Sequence, residues 1–218
     1  VKRAASRWQD AINRGGAHAA WVADTITTLL ASRHGHFQME SGYHTGSWFE
    51  LGGLFDHPDA LSPFVSELAR RLSAHRVDAV CGPMTGGAKL AELISSELRI
   101  RSFVAERIET AGATGLFPIR YEVPAPQRPA LQRLSVAIVD DAISAGSAVR
   151  GCYADLIACG ARPLVLGALV VFGDAAAAFA AEKGVALEAI ERLPFDMWRP
   201  ADCPLCRAGI AVETIAAS

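Results

Sequence analysis

Long apolar runs are missing from this 218-residue chain. The longest uncharged apolar stretch, residues 164–173, stops at Asp174 and falls well short of the roughly 20 residues that a membrane-spanning helix needs. An excess of charge of one sign is missing too. With 21 Lys and Arg against 23 Asp and Glu, the formal net charge is −2, which leaves no electrostatic footprint for wrapping nucleic acid or lying on an anionic membrane. A basic, then apolar, then small-residue leader is absent, because Trp8, Gln9, Asp10 and Arg14 interrupt the opening segment. The chain therefore reads as cytoplasmic. Cysteine is sparse: Cys81, Cys152, Cys159, Cys203 and Cys206 are odd in number and scattered, so reduced thiols are expected rather than a disulfide framework. No internal repeat is present. What remains is a chain that is 51% hydrophobic and 20% charged, too apolar for disorder and long enough for one globular domain with a small subdomain.

Apolar residues at helical spacing (Trp8, Ile12, Ala19, Val22, Ile26, then Leu29 or Leu30) predict one or two N-terminal helices over residues 4–32, broken near Gly15 and Gly16. Residues 37–55, rich in Gly, Ser and aromatics, read as a hood of short strands and turns. Helices are expected at 60–72, 89–98, 147–158 and 175–181, and strands at 77–81, 102–105, 136–139 and 164–172. Strands alternating with helices indicate an α/β fold whose parallel sheet is covered on both faces. Residues 110–133 hold Gly112, Gly115, Pro118, Pro124, Pro126 and Pro129 and read as a long irregular loop, of the kind that is usually functional. The boundaries drawn are 1–58 for the N-terminal helices and hood, 59–196 for the core, and 197–218 for a tail.

Residues 136–148, Val-Ala-Ile-Val-Asp-Asp-Ala-Ile-Ser-Ala-Gly-Ser-Ala, deliver two acids from an apolar strand into a small-residue turn that opens a helix. Such a turn exposes backbone N–H groups and the hydroxyls of Ser144 and Ser147 to a phosphate dianion. Asp140 and Asp141 stand at the strand's C-terminal end, where ligands of open α/β sheets bind, and can accept hydrogen bonds from sugar hydroxyls. Read alone, the segment also fits an acidic strand-to-helix turn with Ser147 as N-cap. Cys203-Pro-Leu-Cys206 supplies two zinc-type ligands where a structural site needs four. His34, His36, His44 and His57 are too remote in sequence to complete it by inference, so the motif is read as packed tail and no metal ligand is assigned.

The 136–148 segment resembles the phosphoribosyl pyrophosphate signature of type I phosphoribosyltransferases, and its Ser-Ala-Gly-Ser-Ala turn followed by Val149 and Arg150 is similar to the orotate phosphoribosyltransferase family. Three further segments agree in order: the hood Phe37-Gln-Met-Glu-Ser-Gly-Tyr-His-Thr45 with Trp48-Phe49, the loop Gly82-Pro-Met-Thr-Gly-Gly87, and the tail from Trp198 to Gly209. The resemblance implies the type I phosphoribosyltransferase fold and transfer of a phosphoribosyl group to a nitrogenous base with Mg²⁺. It places the ribose hydroxyls on Asp140 and Asp141, the 5′-phosphate on Ser144, Ala145, Gly146, Ser147 and Ala148, and pyrophosphate on Thr85, Gly86 and Gly87 with Lys89 the nearest cation. Arg107 falls where the family has a cation for the diphosphate. Residues 110–133 correspond to its catalytic loop, which here holds Arg120, Arg128 and Arg133 but no lysine. His44, Trp48 and Phe49 are base contacts by the same carry-over, and a homodimer is implied because the family's loop acts across a subunit boundary. Where the family has an arginine for the orotate carboxylate, this chain has Gly173-Asp174-Ala175. Arg199 and His44 are the candidate substitutes. The reading adopted on this resemblance is transfer of the phosphoribosyl group to orotate, with a transferase for an uncharged base, a sensor that binds without turnover, and a binder of some other phosphorylated metabolite as the alternatives.

Overall fold

The computed structural model describes residues 25–109, 112 and 115–215. The expected N-terminal helices fall largely at 1–24, outside the described residues. The end of that segment is not helical as read: Ile26–Leu29 forms a short 3-10 turn and Ala31 already opens a strand.

The core sheet has six strands in the order β5-β4-β3-β6-β7-β8. These are β3 (Ala79–Pro83), β4 (Arg101–Glu109), β5 (Ile119–Glu122), β6 (Ser135–Ile143), β7 (Arg162–Phe172) and β8 (Ala186–Leu193). All neighbours run parallel except β5, which lies antiparallel on β4 at the edge. Along β6 the period of two is plain. Val136 and Ile138 enter one buried cluster while Ala137 and Val139 enter the other on the opposite face. That second face is covered by α1 (Pro58–Ser73) and α2 (Gly86–Leu98), and the first by α3 (Ser147–Ala158) and α4 (Ala175–Lys183). Helix α1 starts at Pro58, earlier than its apolar pattern suggests, because proline is suited to the first helical position. Leu61, Val65, Leu68, Ala69 and Leu72 form its buried stripe.

Two features depart from the sequence reading. Residues 110–133 are not irregular throughout, since they contain β5 and a 3-10 turn at Arg128–Leu131. Tyr121 and Val123 alternate inward against exposed Arg120, a strand pattern hidden between Pro118 and Pro124. Strand β8 also went unread, because its Glu188, Glu191 and Arg192 break the apolar run.

The hood is a second sheet of four strands, order β10-β1-β2-β9. Strands β1 (Ala31–Gln38) and β2 (His44–Glu50) form an antiparallel hairpin. The tail supplies both edges, with β9 (Met197–Trp198) antiparallel to β2 and β10 (Glu213–Thr214) parallel to β1. Between them lies the short helix α5 (Pro204–Arg207). The two ends of the described chain therefore meet in one layer.

Candidate active site

Strand β6 runs through both acids before it ends, so Asp140 and Asp141 stand on an ordered strand terminus. Asp140 is buried and its Oδ1 accepts from the backbone N–H of Asp141 at 3.1 Å, while Asp141 Oδ1 accepts from Ala142 N–H at 2.8 Å. Burial, reinforced by the neighbouring Asp141 charge, pushes the Asp140 carboxyl well above the usual carboxylate range. Burial also raises Asp141, against the opposing pull of backbone hydrogen bonds and of Lys89. The glycines expected to admit pyrophosphate are required first by these acids. A Cβ on Gly86 would stand 2.0 Å from Asp141 Oδ2, and one on Gly87 would stand 2.8 Å from Asp140 Oδ1. Thr85, Gly86 and Gly87 thus bring the start of α2 directly against the acid pair. Lys89 sits one turn into α2 with its ammonium 5.4 Å from the Phe55 ring centre, still near enough to favour the Asp141 carboxylate.

The turn after β6 leads directly into a helix. Gly146 adopts φ +79°, in the left-handed region that glycine enters at no steric cost, and α3 begins at Ser147. The hydroxyl of Ser147 is buried without a hydrogen-bond partner. A buried hydroxyl at a helix N-terminus can donate to an oxygen ligand. Arg150 steadies the turn: its Nε donates to the Ala145 carbonyl at 3.4 Å, and its guanidinium lies 4.3 Å from the Phe179 ring centre. Ser144, Ala145 and Ala148 complete the turn with small side chains.

Arg107 lies on β4 and is committed to ion pairs. Its Nε donates to Glu40 Oε2 at 2.8 Å, and it also pairs with Glu109. The Tyr121 hydroxyl donates to Glu40 Oε1 at 2.8 Å, and burial raises the tyrosine's pKa. Tyr121 feels the Asp140 charge, and Asp140 feels the charge of Glu40. Glu40 is thus the joint between hood and core beside the acid pair. It lies inside the hood motif, where its partners are 67 and 81 residues away in the chain and leave no local pattern. Arg120 is exposed and pairs with Glu122 at 3.0 Å.

The three base-contact candidates do not form one platform. Phe49 packs on Phe172 at 4.7 Å and Phe195 at 6.3 Å between ring centres, which makes it part of the hood-to-core packing. Trp48, adjacent on the strand, points to the opposite face, 6.2 Å from Phe37, with its indole N–H buried and unpartnered. His44 is buried against His36 and Cys206, so it belongs to a cluster of its own. The sequence distance that set His36 and His44 apart from Cys203 and Cys206 is closed by the fold.

No protein-family model matches the chain. A curated orotate phosphoribosyltransferase from Caldanaerobacter subterraneus subsp. tengcongensis is 28% identical over 87% of this chain and 92% of its own length. One from Thermotoga petrophila is 30% identical over 88% of this chain and 95% of its own. The chain belongs to the orotate phosphoribosyltransferase family. The crystal structure of orotate phosphoribosyltransferase from Aeropyrum pernix superposes with a TM-score of 0.58 at 22% identity, covering 75% of this chain and 88% of that one. Membership in the orotate phosphoribosyltransferase family fits the type I α/β architecture. Among the described residues no helix is long and apolar enough to cross a membrane.

Proposed function

We propose that this chain transfers the phosphoribosyl group of phosphoribosyl pyrophosphate to orotate, forming orotidine 5′-monophosphate and releasing pyrophosphate. The observation that carries the reading is the convergence of Asp140 and Asp141 with the Gly86–Gly87 loop on one side and the Ser147 turn on the other. Those three pieces suit the three parts of the donor. The Ser147 hydroxyl and the N–H groups of the 144–148 turn bind the 5′-phosphate. Asp140 and Asp141 accept hydrogen bonds from the ribose hydroxyls, which replace a mutual repulsion with favourable partners. The 85–87 backbone, with Lys89 behind it, receives the diphosphate.

The acid pair is an all-oxygen donor set, which fits Mg²⁺; when bound, that ion would neutralise charge developing on the leaving pyrophosphate. The chain's own part is placement. It fixes the ribose by its hydroxyls and phosphate, so that C1′ is presented to the base without a covalent intermediate. Arg107 serves by holding Glu40 and the hood over the acids. A homodimer is proposed on the family resemblance, with the 110–133 segment acting across the subunit boundary. A non-catalytic sensor is the second reading, favoured by a loop whose Arg120 is tied to Glu122.

Pyrophosphate release with Mg²⁺, phosphoribosyl pyrophosphate and a panel of orotate, uracil and other bases tests this directly. Release with orotate and formation of its nucleotide supports the transferase. Saturable donor binding with no release from any base would establish the sensor, and release with only neutral bases would reassign the substrate.

A further inference from the structure

Outside the acid site, the hood and tail bring four metal-binding side chains to one point. His36 on β1, His44 on β2, Cys203 just before α5 and Cys206 within it each offer one ligand atom, and all four atoms lie within 4.8 Å of one another. His36 Nε2 is 3.0 Å from His44 Nδ1, 3.4 Å from Cys203 Sγ and 3.7 Å from Cys206 Sγ, while His44 Nδ1 is 3.3 Å from Cys206 Sγ. A tetrahedral Zn²⁺ with bonds of about 2.3 Å to sulfur and about 2.05 Å to nitrogen has edges of about 3.3 Å between nitrogens and about 3.6 Å between nitrogen and sulfur. The four observed separations match those edges within a few tenths of an ångström, and the remaining two are no longer than 4.8 Å.

We propose that His36, His44, Cys203 and Cys206 form a structural Zn²⁺ site that clamps the tail onto the hood sheet. Two imidazoles and two thiols make the soft, four-donor set that selects zinc over Mg²⁺ or Ca²⁺. The ligand atoms are also aimed. His36 Nδ1 lies 2.8 Å from the Ile210 carbonyl, which can only accept, so the ring proton sits on Nδ1 and the Nε2 lone pair faces the cluster. A register shift in β1 between His34 and Phe37 turns His36 inward beside buried Phe37. His36, His44 and Cys203 are buried, whereas Cys206 is exposed and leaves a path for the ion. Both cysteines are free thiols, as zinc ligation requires.

The site would tie down a tail with little secondary structure of its own. Strands β9 and β10 are two residues each and α5 is four. One ion bonded to β1, β2, the start of α5 and its third residue closes them into a unit. The proposal is independent of the transferase reading, because its test needs no turnover.

Protein produced in zinc-supplemented medium and then dialysed is assayed for metal and titrated with Co²⁺ after chelation. The expected result is about one zinc per chain, and for Co²⁺ the visible bands of a tetrahedral ion with a near-ultraviolet thiolate charge-transfer band. Cys206→Ser removes an exposed thiol without opening a cavity, and should lose the zinc at least tenfold and the charge-transfer intensity in part. His34→Ala, on the exposed side of β1, should keep both. Chelation should lower the Tm of wild type but not of Cys206→Ser. Absence of zinc and of cobalt binding in folded wild type would overturn the proposal, as would full metal content in the Cys203→Ser, Cys206→Ser double variant. Mass spectrometry showing a Cys203–Cys206 disulfide in metal-free, freshly prepared protein would overturn it in favour of a redox pair.

Discussion

Asp140 carries the strongest tension between stability and ligand binding in the molecule. Its carboxyl is buried beside Asp141 and raised well above its ordinary value, so the folded state holds the proton more tightly than the unfolded chain. Stability therefore falls as pH rises from the unfolded pKa through the folded one, and the deficit persists above it. Asp140→Asn should raise the Tm of the ligand-free protein at pH 8, with the gain shrinking as pH drops toward and below the ordinary aspartate range, where the unfolded aspartate takes up its proton as well. The same variant should weaken phosphoribosyl pyrophosphate binding, read by calorimetry. A lower Tm at pH 8 would contradict this account of the acid pair. Ser147 makes the complementary case. Its hydroxyl has no partner in the described structure, so Ser147→Ala should leave Tm within about a degree. The lost hydrogen bond to a phosphate oxygen is worth about 1.5–3 kcal/mol, so donor affinity should fall tenfold or more. Equal affinity would remove Ser147 from the phosphate cradle.

At the level of elements, legibility followed periodicity. Helix α3 was readable to its end residues, since the glycine turn and the apolar spacing agree on where it starts, and the four central parallel strands announced themselves as apolar runs. Strands β5 and β8 were not readable, because an edge strand half-covered by polar residues looks like loop. The acid pair, the 82–87 segment and the small-residue 144–148 turn stand out in the sequence because each is contiguous, and the fold sets the first two against one another. Glu40, Tyr121 and the four metal-type ligands were not, because their meaning lies in contacts spanning many residues. Asp155 shows how such contacts work. Its carboxylate, buried on α3, accepts from Val123 N–H at 2.8 Å and pairs with Arg128 at 2.7 Å. It therefore anchors the 123–128 segment, where sequence alone suggests slack. Asp155→Ala would strand a buried N–H and free Arg128, with an expected cost of about 3 kcal/mol. Denaturant unfolding should show that loss, and limited proteolysis should open the chain between Val123 and Arg133. Unchanged proteolysis would mean that the segment is held by its apolar contacts alone.

On the scale of the whole molecule, the proposed function puts the donor on the core and leaves the hood and tail, joined in one sheet, to recognise the base. The base-side residues carried over from the family do not all serve that end: Phe49 is packing, and His44 is turned toward His36 and the cysteines. The turn after β7 holds exposed Asp174 instead of a cation. Arg199 directly follows β9, which is hydrogen-bonded to β2, and it is exposed with no ion pair among the described residues. It is therefore the remaining candidate for the orotate carboxylate, where a charge-assisted pair contributes roughly 1.5–3 kcal/mol. Arg199→Ala should raise the KM for orotate about tenfold or more while leaving the KM for phosphoribosyl pyrophosphate within about twofold, because the donor is held by the core. Arg199→Lys should recover part of the loss by restoring charge without the planar fork. Initial rates with each substrate varied in turn separate the two constants. A rise in both would implicate the hood-to-core joint, and no rise in either would place the anion site elsewhere on the hood.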